Sequence, residues 1–183
     1  MTKLKIIFTI TFILFLSPTL QADTKENVEL AGDIMVLALP ATAYGMNIYK
    51  QDGEGALQFT ASLATTMATT YILKYTIDAE RPNGKNNRSF PSGHTSASFS
   101  SATFLQLRYG WKYGVPAYAA ATFVAWSRLY TDKHYTRDVI AGAALGALSS
   151  YIFTTKYKSD IQVTSIADNG IYGLQISSQF SSY

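Results

Sequence analysis

The chain has 183 residues, enough for one domain with short extras, and carries 15 Lys and Arg against 12 Asp and Glu. It has no cysteine, which excludes disulfides, thiol catalysis and Cys-ligated zinc. Its basic residues are scattered with no basic run, which excludes nucleic acid as a partner.

Residues 1–22 have the build of a secretory signal peptide. Lys3 and Lys5 precede an apolar run from Ile6 to Leu16, and Ser17-Pro18 and Leu20-Gln21-Ala22 follow, with cleavage expected after Ala22. Without Lys3 and Lys5, 13 basic residues face 12 acidic ones, a net charge near +1. Five helices are expected next, over Asn27–Tyr49, Gly55–Ile77, His94–Tyr109, Pro116–Tyr130 and Asp138–Tyr157. Asp33 and Pro40 interrupt the first. Pro116 is placed in the first turn of the fourth, a favoured position for proline. Gly142, Ala143, Gly146 and Ala147 give the fifth a small-residue face for close packing. Polar loops are expected at 50–54, 81–91 and 108–115, and the turn-rich stretch Pro82–Arg88 is a candidate lid or substrate rim. Past residue 158 the pattern changes. Two strand-like runs, Ile161–Ala167 and Ile171–Ser177, flank Asp168-Asn169-Gly170, the signature of a hairpin turn. The expected fold is all-α: a bundle of about five core helices (residues 23–158) with a small C-terminal β-hairpin (159–183).

Three short polar pieces stand out of this apolar background. They are Lys74, six residues, Arg81-Pro82; then Pro91-Ser92-Gly93-His94; then Ser127-Arg128, five residues, His134, three residues, Asp138. The two histidines are the only ones in the chain. A phosphoryl group in transfer spreads charge over three oxygens, so fixed donors must surround it. Arg supplies a planar fork and Lys a point charge. A Ser-Gly helix start adds backbone N–H groups and the positive end of a helix dipole. One imidazole can attack phosphorus if a carboxylate holds its other nitrogen, and a second can protonate the leaving oxygen. His134 and Asp138 are four apart and would share one face of a helix. His94 has no acid at that spacing, which suits a proton donor. Singly, each piece has a plainer reading: a helix stop at Arg81-Pro82, a cap at Ser92-Gly93, a pairing of Arg128 with Asp132 or Asp138. Jointly those readings must explain why both histidines fall at the right offsets from Ser, Arg and Asp.

The three pieces, in this order and spacing, resemble the type 2 phosphatidic acid phosphatase and vanadium haloperoxidase superfamily. The blocks span 74–138, and flanking helices extend the resemblance to roughly 28–155. The resemblance implies that His134 is a phosphohistidine nucleophile, His94 the general acid and Asp138 the partner of His134. It implies phosphate binding by Lys74, Arg81, Ser92, Gly93 and Arg128, with no metal and no cofactor. The implied activity is hydrolysis of a lipid-linked phosphate or diphosphate, or another phosphomonoester. The alternatives are a vanadate-dependent haloperoxidase, disfavoured by the short chain, and a non-catalytic envelope protein docking through its tail hairpin. The expected partners are a phosphorylated, lipid-linked substrate and the bacterial envelope membrane surface. A mean hydropathy of only +0.05, and apolar stretches shorter than the roughly 20 residues of a span, favour a periplasmic, membrane-associated enzyme over an integral inner-membrane one.

Overall fold

Small residues decide how this chain packs. In α3 (Gly93–Tyr109) Ser96, Ala97, Ser98, Ser100, Ser101 and Ala102 are all buried, so much of the first half of the helix presents small side chains to its neighbours. Four neighbours therefore reach it: α1 (Thr24–Lys50), α2 (Gly53–Thr76), α4 (Trp111–Tyr130) and α5 (Thr136–Phe153) all pack against α3. The computed structural model describes residues 24–157, and beyond them the backbone of 161–168 and 171–178. The all-α reading with five helices holds. The signal-peptide segment lies outside the described residues. Ile161–Asp168 and Ile171–Ser178 are extended and run antiparallel, no helix packs on either among the described residues, and the hairpin stays a proposal.

The small face expected on α5 is used. A Cβ on Gly142 would come within 2.6 Å of the Ser92 carbonyl oxygen, and one on Gly146 would run into the Ser96 carbonyl. Helix α5 thus lies backbone to backbone on α3, and Ser100 and Ser150 bond across the contact at 3.0 Å. Larger side chains gather toward the far end, where Phe59 stacks against Phe104 and Tyr44 at 4.8 Å each.

Several boundaries differ from the expected ones. Helix α1 runs unbroken through Asp33 and Pro40. Helix α4 starts at Trp111, so Pro116 sits inside it and the expected 108–115 loop shrinks to Gly110. That single residue has φ +91, a left-handed backbone that glycine adopts without strain. Helix α5 stops at Phe153 rather than Tyr157, because the next segment bonds elsewhere. The Tyr157 N–H donates to the Arg108 carbonyl at 2.9 Å, and Arg108 Nη1 donates to the Thr155 carbonyl at 3.0 Å. Arg108 also grips Asp52, the N-cap of α2, through bonds of 2.7 and 2.6 Å, both groups being 3% exposed. This buried pair ties together three chain segments at the end of the bundle away from the histidines.

Candidate active site

The helices alternate in direction, so Lys74 (end of α2), His94 (start of α3), Arg128 (end of α4) and Asp138 (start of α5) meet at one end. A cavity of about 570 Å³ opens there, and Lys74, Arg81, Gly93, His94 and His134 line it. Its walls continue into apolar side chains of α1 and α2, among them Val36, Leu37, Leu63 and Met67. Of the expected site residues, Ser92, Arg128 and Asp138 do not line the cavity but stand behind it.

Ser92 departs from its expected part. Its N–H donates to the Asp138 carbonyl at 2.9 Å, and its hydroxyl accepts from the Thr95 hydroxyl at 2.9 Å while capping α3. Its amide is therefore engaged. The first N–H groups of α3, on Gly93 and His94, have no acceptor among the described residues and are the ones available to an anion.

His134 also sits differently. It lies in the turn between α4 and α5, not on a helix, and Asp138 is in the first turn of α5. Their four-residue offset brings Nδ1 to 3.6 Å from Asp138 Oδ2, too long for a hydrogen bond. Ser89, which the motifs do not include, stands beside both. Its hydroxyl donates to Asp138 Oδ2 at 2.5 Å and lies 3.5 Å from His134 Nδ1. Oδ2 also accepts the Tyr135 N–H at 2.9 Å, and Oδ1 is buried without a hydrogen-bond partner. The carboxylate is thus clamped by the start of its own helix, and Ser89 couples it to the imidazole. Burial, then the charges of Lys74 and Arg81, push the His134 pKa well below the ordinary imidazole value. Asp138 and a hydrogen bond with the Ser89 backbone oppose this without reversing it.

A second carboxylate enters from α1. Asp33 Oδ1 lies 3.0 Å from His94 Nε2 and accepts from Arg128 Nη1 at 2.8 Å. His94 therefore does have an acid, from 61 residues away in the chain. Arg128 pairs with neither Asp132 nor Asp138. It is 3% exposed, and its remaining donors go to the Glu29 carbonyl and the Ser127 hydroxyl. Gly32 makes room for this, since a Cβ there would strike the Ser127 and Arg128 side chains. The available signal for Asp33 was its position: it is the last carboxylate of α1 and opens a stretch with no charge until Lys50, and a carboxylate bordering so apolar a stretch marks a functional position more often than a break. No comparable sign marked Ser89.

The 82–88 loop forms part of the cavity rim. Arg81 Nε donates to Asn86 Oδ1 at 3.0 Å, and Lys74 Nζ to the Arg88 carbonyl at 2.9 Å.

Comparison with known proteins places this geometry. Residues 83–161 match the model of the PAP2 superfamily, a stretch that holds the second and third motif blocks. The chain is 28% identical over 172 residues to the lipid A 4'-phosphatase of Helicobacter pylori, covering 86% of each chain. It is 41% identical over 78 residues to the lipid A 1-phosphatase of Porphyromonas gingivalis, which is 41% of this chain but 18% of that longer protein. In fold it is similar to a transmembrane PAP2-type phosphatidylglycerolphosphate phosphatase from Bacillus subtilis, with a TM-score of 0.55 at 23% identity, covering 70% of this chain and 72% of that one.

Proposed function

We propose, from its similarity to the PAP2 superfamily over residues 83–161 and to the lipid A phosphatases, that this chain is a membrane-associated phosphatase that hydrolyses a lipid-linked phosphate through a phosphohistidine. The observation that carries the reading is the His134 imidazole facing the same cavity as Lys74, Arg81, His94 and the free amides of α3. The cations and amides hold the phosphoryl oxygens. The His134 nitrogen away from Ser89 and Asp138 attacks phosphorus. The bond from phosphorus to the leaving oxygen breaks, and His94 gives that oxygen its proton. A water then attacks the phosphohistidine, His94 takes the proton back, and the N–P bond breaks to release inorganic phosphate. Ser89 and Asp138 orient His134, and Asp33 orients His94. With this density of fixed positive charge, the mechanism assigns no step to a metal ion.

The relatives' names point to lipid A as the substrate class, and the apolar walls of the cavity suit an amphiphile. The phosphatase domain is taken as 23–158. The hairpin proposed for 159–183 is marginal in isolation and would rest on membrane or partner.

Within the membrane-associated class, the distribution of side chains favours the integral alternative. Leu37, Ile48, Leu57 and Leu148 are 74%, 78%, 74% and 60% exposed, whereas Ser62, Thr66, Ser100 and Ser150 are fully buried. Large apolar groups face outward and small polar ones inward, the arrangement suited to lipid. Exposed aromatics ring both ends, with Tyr71, Tyr75, Trp126 and Tyr135 near the site and Tyr49, Trp111 and Tyr151 opposite. The five helices have 27, 24, 17, 20 and 18 residues, which at about 1.5 Å per residue compares with a hydrocarbon core of roughly 30 Å.

Phosphate release from lipid A and from alkyl and aryl phosphates, with the purified chain in detergent, tests the reading. His134→Ala should abolish turnover. His94→Ala should slow alkyl substrates by about 10²–10⁴ and spare aryl ones with better leaving groups. EDTA should leave the rate unchanged, and orthovanadate should inhibit. Turnover in His134→Ala at the wild-type rate would remove the phosphohistidine.

A further inference from the structure

Beside the cavity that holds the histidines lies a second, of about 520 Å³. Lys74, Tyr75, Asn86 and Arg88 line both and form the partition between them. Arg88 belongs to none of the motif blocks, and the mechanism above gives its side chain no part. Yet its placement is specified in detail. Asn86 Oδ1 accepts both from Arg81 Nε and from the Arg88 N–H, each at 3.0 Å. The Arg88 carbonyl accepts from Lys74 Nζ at 2.9 Å. The backbone of Arg88 is therefore tied to two cations of the phosphate site. Its guanidinium lies over the Tyr75 ring, 4.4 Å from the centroid, with Nη1 3.4 Å from the Tyr75 hydroxyl.

The charge on that guanidinium is unmatched. The chain has five arginines. Arg108 pairs with Asp52, Arg128 with Asp33, and Arg137 lies 3.6 Å from Asp138. Arg81 and Arg88 form no ion pair among the described residues. For Arg81 the phosphate undergoing transfer explains this. Arg88 is equally unpaired among the described residues, and its exposed guanidinium, held on Tyr75 at the rim between the two cavities, is placed to meet an anion of its own. The second cavity also contains the Asp78 carboxylate, but Lys74 and Arg88 outnumber it.

We infer that Arg88 is a specificity-determining contact for a second anionic group on the substrate, a phosphate held in the smaller cavity while the scissile phosphate occupies the larger. The inference rests on the phosphatase reading and deepens it: the preferred substrate carries two phosphates. They are either adjacent, as in a diphosphate, or at separate positions on one headgroup. Stacking on Tyr75 holds the planar fork in place in advance, which limits the ordering cost of binding.

The test measures kcat and KM for wild type, Arg88→Gln and Tyr75→Leu on three substrates in detergent. These are an alkyl monophosphate, the alkyl diphosphate of the same chain length, and lipid A with both phosphates. Arg88→Gln should raise KM about tenfold on at least one doubly phosphorylated substrate, the magnitude of a lost charge-assisted hydrogen bond. The monophosphate should stay within about twofold, and kcat should be unchanged throughout. Tyr75→Leu, which frees the guanidinium but keeps its charge, should show a smaller shift in the same ratio. A loss confined to the diphosphate assigns the adjacent group, and a loss confined to lipid A assigns the distant one. Equal effects on all three substrates, or none on any, would overturn the inference and leave the phosphatase intact. A wild-type chain that releases no phosphate from any of them would overturn both.

Discussion

In the proposed mechanism His134 must be unprotonated when it attacks phosphorus, and its surroundings favour that state. Burial, Lys74 and Arg81 all disfavour the imidazolium, so the ring stays neutral well below the ordinary imidazole range. In the proposed mechanism the same cations hold the substrate, so one pair of charges serves two ends. The sign of each contribution can be tested separately. Removing a cation by Arg81→Gln should raise the His134 pKa toward its ordinary value and move the acid limb of kcat/KM to higher pH. Removing the anion by Asp138→Asn should lower the pKa further. With only two histidines in the chain, NMR titration of the ring protons reads both shifts directly. Shifts in the same direction for the two variants would refute this account of the site. Ser89→Ala adds a finer probe. If the hydroxyl couples Asp138 to the ring, the variant should keep its fold and KM while losing kcat. The buried Asp138 carboxylate would then lack one of its two donors.

At the scale of the helix, the position of the catalytic groups depends on how closely α5 lies on α3. The Ser92 N–H to Asp138 carbonyl bond joins the start of α3, proposed to bind phosphate, to the helix that holds Asp138. That bond requires the bare backbone of Gly142 beneath it. Gly146→Ala should therefore destabilise the protein by about 1–3 kcal/mol through overpacking, because the obstructing atoms are backbone and cannot swing aside. Gly45→Ala, inside α1 with nothing within 4 Å of the added Cβ, should stabilise by up to about 1 kcal/mol from helix propensity. Thermal unfolding in one detergent compares the two. A Gly146→Ala protein as stable as Gly45→Ala would mean the helices separate more easily than the contact implies. The Arg108–Asp52 pair at the other end anchors the α1–α2 turn, the α3 terminus and the segment after α5. Its partners are buried, so truncating one would leave an uncompensated charge, at a cost of about 3–5 kcal/mol.

Apart from the cluster around Phe59 and Phe104, the described helices bury many small hydroxyls and turn many large apolar side chains outward. In water such a bundle would expose large apolar side chains such as Leu37, Ile48, Leu57 and Leu148 while burying many hydroxyls that gain little from burial. In lipid the same distribution is favourable, because association there depends on close backbone approach and hydrogen bonds between helices. The chain should therefore stay in the membrane fraction through a carbonate wash at high pH and leave it only with detergent. Release by carbonate would return it to the periplasm as a peripheral protein. Of the five helices, α1 alone combines the length and hydropathy of a span. The others are recognised as membrane-facing only by which side chains point outward.

The motif residues were legible because their chemistry is local in sequence: Lys74 and Arg81, Ser92 to His94, and Arg128 to Asp138 keep fixed spacings that a single loop or helix turn imposes. Helix number was legible for a similar reason, since apolar runs and their polar breaks are properties of neighbouring residues. What the spacings did not carry was which groups meet across the bundle. Asp33 reaches His94 and Arg128, and Ser89 reaches Asp138, only after four helices settle around α3. The pairing of His134 with Asp138 was expected from helical spacing. In the fold it arises from a turn against a helix start, with Ser89 beside both groups. The outward apolar faces were hidden likewise, because Ser and Thr in a sequence look the same whether they face water or another helix. Local patterns determine which elements form and which chemistry they carry. Only the packing of helix on helix decides which carboxylate lies beside which histidine, and which side of each helix faces outward.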